Sequence, residues 1–146
     1  MADFRVSNPN YRAEIGKIIE YQKIMATIGA ELVSVEPGQV QLGLPYRADL
    51  TQHHGYLHAG IVTTIVDSAC GAAAYSLMPV GSGVLTVEYK VNFLAPAKGD
   101  YMLATGQVIK PGRTLTFCEG RVIAKQGDEE KLIVTMQATM MCLPQA

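Results

Sequence analysis

The chain has 146 residues, 49% of them apolar and 17% charged, with a formal net charge of −1. That length suits a single domain, 1–146, with its own hydrophobic core. The near-neutral balance argues against nucleic acid or an anionic membrane as the main partner. With no Trp and only three Phe, the chain has no aromatic platform for stacking bases either.

In chain order, Asn8-Pro9 offers an N-cap followed by proline at a first helical position. Ile15, Ile18, Ile19 and Met25 then recur at helical spacing until Gly29, so a helix is predicted over about 9–28. The core is expected over 29–142. Glu31 to Glu36 and Val40 to Tyr46 read as strands joined at Pro37-Gly38, and Val40, Leu42, Leu44 and Tyr46 alternate cleanly. A polar loop, Gln52 to His58, leads into a long small-residue helix from Ala59 to about Met78-Pro79. Four strands follow: Val84 to Leu94, Tyr101 to Ile109, Thr114 to Ala124, and Lys131 to Cys142. Simple alternation puts Thr86 on a face with Glu88, and Val87 with Tyr89 on the other, unless a bulge intervenes.

Strands linked by short turns favour antiparallel pairing and an α+β architecture. The central helix is almost wholly apolar and must be covered on most sides, which a curved sheet of five or six strands wrapped around it achieves. The stretch from Ala59 to Val80 is long enough to cross a bilayer. However, it is rich in Gly, Ala, Ser and Thr, carries an acid near its middle and lacks basic flanks. It is read as a core helix, with no membrane partner. Cys70, Cys118 and Cys142 are odd in number with no paired spacing, and read as small core residues in a reducing compartment. Together with a start lacking a basic-then-apolar leader, this predicts a cytoplasmic location.

Asp67 is the sole charged side chain between Ala59 and Val87. Burying an unpaired carboxylate costs several kcal/mol, so it needs a partner or a task. A structural bond to Thr63, Thr64 or the backbone of a dimer partner is one reading and catalysis the other. The helix start at Ala59 and Gly60 supplies free N–H groups, and small side chains there let a carbonyl approach the backbone closely. Asp67 lies eight residues further on, about 12 Å at 1.5 Å per residue, too far for one chain to bring acid and N–H together. Two helices side by side across a two-fold would join them. His53, His54 and His58 lack further ligands for zinc, so no metal is expected.

Gly55-Tyr56-Leu57-His58-Ala59-Gly60 followed by Asp67 resembles the G-x-x-H-G-G…D signature of hot-dog-fold acyl-CoA thioesterases of the PaaI type. The resemblance extends over about residues 29–141, and Ala59 stands where the motif has its first Gly. It implies a hot-dog fold and hydrolysis of an acyl-CoA to free acid and CoA, with no separate cofactor. It implies Asp67 as base or nucleophile, Ala59 N–H as the carbonyl's donor, Gln52 near the reacting centre and Thr86 positioning water. His58, Gly55 and Gly60 would shape the loop, while Lys110, Gly112, Arg113 and Thr114 match a turn touching the CoA nucleotide. Glu88 and Phe93 would line the CoA path. A homodimer, paired further into a tetramer, is expected. The alternatives are a non-catalytic acyl-CoA-binding protein and a hot-dog enoyl-CoA hydratase or dehydratase.

Overall fold

A computed structural model describes residues 2–145. Met1 and Ala146, the ends of the expected domain, lie outside the described residues.

The predicted N-terminal helix is two helices, α1 (Tyr11–Tyr21) and α2 (Lys23–Ile28). They are separated by Gln22 in an extended conformation (φ −71°, ψ 97°). No proline or glycine marks this break. Gln22 instead turns its side chain onto the central helix, where Ser68 Oγ donates to Gln22 Oε1 at 3.0 Å. The first helix also starts two residues later than Asn8-Pro9 suggests. Asn8 is buried and its Oδ1 accepts Asn10 N–H at 3.0 Å, while its Nδ2 donates to Glu14. Tyr75 at the far end of the central helix donates to the same Glu14 carboxylate at 2.6 Å, stapling α1 in place. The helical pair ends where expected, at Gly29 in the left-handed region (φ +79°).

The strands follow the predicted order closely: β1 (Glu31–Glu36), β2 (Gln39–Pro45), β3 (Gly83–Phe93), β4 (Tyr101–Lys110), β5 (Leu115–Gln126) and β6 (Glu129–Leu143). They form one antiparallel sheet in the order β1-β2-β4-β5-β6-β3. The central helix α3 (Ala59–Tyr75) lies in the hollow of this sheet, mainly against β2, β4 and β5. It ends at Tyr75, short of Met78-Pro79, and finishes in turns through Met78. Val62, Ile65, Val66, Ala69 and Cys70 are fully buried against Leu42, Met102, Ala104, Val122 and Met140. This is a hot-dog fold with a curved six-stranded sheet, a central helix and an N-terminal helical segment.

Close helix-on-sheet contact requires missing side chains. A Cβ on Gly106 in β4 would fall 2.3 Å from the backbone carbon of Ala69, so only glycine lets α3 sit this deep.

Candidate active site

The site is built at the start of α3. The preceding loop is tied down locally: Gln52 N–H donates to Tyr56 O (2.9 Å), Gly55 N–H to Gln52 O (3.0 Å) and Tyr46 OH to Gly55 O (3.1 Å). Gly55 takes φ +83° to close the turn. The Gln52 side-chain oxygen accepts His54 N–H. Its amide nitrogen is thereby left as the free end of that side chain.

His58 is the N-cap of α3, and its Nδ1 accepts Gly60 N–H at 2.9 Å. Ile61 and Val62 N–H go to the His58 carbonyl. Among the described residues, Ala59 N–H is the one in this first turn with no acceptor, so it carries the free donor and much of the helix's positive end. Gly60 contributes only its lack of a side chain.

Asp67 lies two turns along α3. Thr63 and Thr64 hydroxyls donate back to the carbonyls of Ala59 and Gly60, each at 2.8 Å, so neither pairs with the acid. Thr86 does: its Oγ1 donates to Asp67 Oδ1 at 2.8 Å. Burial pushes the Asp67 carboxyl above the ordinary carboxylate range, and the Thr86 hydrogen bond pulls it partly back. A carboxylate so raised is a stronger base, once ionised, than a free one.

Thr86 reaches Asp67 because of an irregularity that simple alternation does not show. Thr86 pairs with Met140 and Glu88 with the next residue of β6, Thr139, so Val87 is an extra residue in β3. This bulge corrects the expected parity. Thr86, Tyr89, Val91 and Phe93 share the helix-facing side, opposite Met140, Ala138, Met136 and Val134. Glu88 is turned to the outer face, where Thr139 Oγ1 donates to it at 3.1 Å, on the far side of the sheet from Asp67.

Two cavities flank the start of α3. One of about 280 Å³ holds Asp67 with Gly60, Thr63, Thr64, Tyr89 and Val91. The other, about 530 Å³ and mostly apolar, holds Ala59, Gln52 and Phe93 with His54, Tyr56 and Pro96. Within one chain, acid and free donor therefore face different hollows. Lys110, Gly112, Arg113 and Thr114 form the β4–β5 hairpin. Leu57 N–H bonds Ala97 O beside the start of β4, whereas Val108 N–H bonds Gly38 O, whose N–H in turn bonds Ser76 at the other end of α3. The hairpin thus lies at the opposite end of the sheet from Ala59, about 30 Å away along β4 at 3.3 Å per residue.

Cys70 and Cys118 supply no nucleophile. Cys70 and Cys118 are buried, and burial pushes the Cys118 thiol up to about 12 and Cys70 well above its usual value. Among the described residues, no three His, Cys, Asp or Glu side chains converge as metal ligands, and no helix is long and apolar enough to cross a membrane.

Residues 54–131 match the family model described as the thioesterase superfamily. A crystal structure of a thioesterase family protein from Silicibacter pomeroyi is 50% identical, superposing with a TM-score of 0.90 over 91% of this chain and 98% of that one. Human acyl-coenzyme A thioesterase 13 is 30% identical over 102 residues, 69% of this chain and 71% of the relative. The Escherichia coli PaaI protein from the phenylacetic acid degradation operon shares the fold, with a TM-score of 0.84 at 17% identity over 97% of this chain and 99% of that one.

Proposed function

The chain belongs to the thioesterase superfamily, and from that premise we propose that it is an acyl-CoA thioesterase whose site is shared between two protomers. The observation that carries this reading is the raised Asp67 carboxylate, held by Thr86 on a helix whose first N–H is left without an acceptor.

The need for two chains follows from the helix. Ala59 and Asp67 are equidistant from Thr63, so two α3 helices lying antiparallel about a two-fold at Thr63 set Asp67 of one protomer beside Ala59 of its partner. Thr63 shares its cavity with Tyr89 and Val91 of β3. The same two-fold therefore runs β3 of one protomer antiparallel to β3 of its partner. That edge is open: Leu85 is 55% and Val87 51% exposed. The other edge, β1, is shorter and guarded, since Arg12 donates to Val35 O and pairs with Glu36 at 2.7 Å.

In this arrangement the thioester carbonyl oxygen accepts Ala59 N–H, and the Gln52 amide is a second donor at the same hollow. Thr86 occupies Asp67 Oδ1, leaving Oδ2 for water. Asp67 takes the water's proton as its oxygen attacks the carbonyl carbon. The tetrahedral intermediate collapses, expelling the CoA sulfur, which receives that proton. Direct attack by Asp67, through an acyl anhydride, uses the same residues and is separated by labelled-water single turnover. No cofactor beyond the substrate's own CoA enters either route.

Free-thiol release from short, medium, long-chain and aryl acyl-CoAs tests the reading. Wild-type protein is expected to release thiol from at least one class, with Asp67→Ala reducing kcat by a factor on the order of 10²–10⁴, the range for a lost general base. A folded protein that binds CoA but releases none supports the binding-protein alternative. Loss of enoyl absorbance without thiol supports a hydratase.

A further inference from the structure

We infer that Tyr46 is a positioning residue for the oxyanion: its hydroxyl holds the loop that presents the Gln52 amide at the Ala59 hollow. The inference rests on the acyl-CoA reading above, in which that amide is the second donor to the thioester carbonyl. Between the end of β2 and the start of α3 the chain doubles back on itself. Thr51 bridges Leu57, and His58 N–H bonds Leu50 O at 2.9 Å, so the base of this loop is closed. Its tip, from Gln52 to Tyr56, is a turn closed by Gly55 N–H on Gln52 O at 3.0 Å. Among the described residues, one side chain from outside the loop hydrogen-bonds this tip. It is Tyr46, whose OH donates to Gly55 O at 3.1 Å.

The tie is anchored at one end and transmitted at the other. Tyr46 follows Pro45, the last residue of β2, and its N–H bonds Asp100 O at 2.9 Å just before β4. The ring therefore springs from the sheet itself. At the other end, Gly55 carries the turn at φ +83°, and beyond its chain neighbours nothing lies within 4 Å of where a Cβ would stand. Packing does not hold the turn from that side, so the Tyr46 hydroxyl does. The turn sets the place of His54 N–H, which bonds Gln52 Oε1, and that bond decides which way the Gln52 amide nitrogen points. Gln is among the side chains with most rotamer freedom to lose, and a donor aimed before the oxyanion forms costs no reorganisation at the moment of reaction. Tyr46 lines neither cavity at the start of α3, so it acts through the loop rather than on substrate. At 41% exposure, its hydroxyl can be removed and water can take Gly55 O, so Tyr46→Phe orphans no buried acceptor and keeps the fold.

Thiol release by wild type, Tyr46→Phe, Gln52→Ala and Tyr46→Phe/Gln52→Ala tests the inference. Gln52→Ala removes a donor to the oxyanion and is expected to lower kcat by a factor on the order of 10². Tyr46→Phe is expected to lower kcat roughly fivefold, the worth of one neutral hydrogen bond, with KM little changed. The double variant is expected to match Gln52→Ala alone in kcat, because a side chain that acts through Gln52 then has nothing left to position. Two losses that multiply, a change confined to KM, or an unaltered kcat in Tyr46→Phe overturns the inference and leaves the thioesterase reading standing. Amide hydrogen exchange at His54 and Gly55 reads the tie without turnover. Exchange there is expected to quicken in Tyr46→Phe while Tm holds, and exchange unchanged from wild type overturns the inference as well. Quickened exchange in a protein that releases no thiol from any acyl-CoA sinks the thioesterase reading and keeps the tie.

Discussion

At the scale of single residues, the central fact is a half-buried carboxylate with one hydrogen-bond partner and no cation beside it among the described residues. Burial raises Asp67 above its unfolded-state value, so the folded chain holds that proton more tightly than the unfolded chain does. The linkage sign follows: the folded state binds more protons between the two values, and stability falls as pH rises through the folded value. Asp67→Asn removes this penalty. It is expected to abolish turnover yet raise Tm at pH 8, with the gain vanishing below the unfolded carboxylate range. Thermal melts at both pH values check this, and a variant less stable at pH 8 would contradict the assigned burial cost. Thr86→Ala removes the hydrogen bond that draws Asp67 back down. The acid limb of its kcat profile is therefore expected to move to higher pH.

At the scale of elements, strand positions were legible because β2 and β4–β6 alternate between a buried helix-facing side and an outer side. Three features of the site were not. The break at Gln22 coincides with a side-chain bond to Ser68, a contact between residues 46 apart. The Val87 bulge is hidden because Val87, Tyr89 and Val91 alternate as well as any regular strand, and only the pairing with β6 reveals the extra residue. Nor does the motif say that His58 consumes Gly60 N–H and leaves that of Ala59. Packing between elements also makes opposite predictions for two glycines. Gly106→Ala drives a Cβ into the Ala69 backbone, so α3 must lift; the expected loss is about 1–3 kcal/mol. Gly16, inside α1, has open space within 4 Å of where a methyl would stand, and Gly16→Ala is expected to gain about 0.5–1 kcal/mol. Urea denaturation of both variants reads the two signs.

At the scale of the whole molecule, the separation of Ala59 and Asp67 makes the proposed dimer a claim about chemistry as well as assembly. It can be tested by breaking the two halves of the site in different chains. Ala59 is the first helical residue, and His58 before it is extended (φ −61°, ψ 138°), the backbone that a residue preceding proline prefers. Proline is tolerated at that helix position, so Ala59→Pro deletes the free N–H with the helix kept. Alone, Ala59→Pro and Asp67→Ala should each be folded and inactive. In a mixed dimer, one site gathers both lesions and is dead, while the other combines an intact Ala59 with an intact Asp67. Random exchange makes half the dimers mixed, each with one working site of two, so the mixture should recover about a quarter of wild-type activity. If acid and donor acted within one chain, every site in the mixture would carry one lesion and mixing would restore nothing.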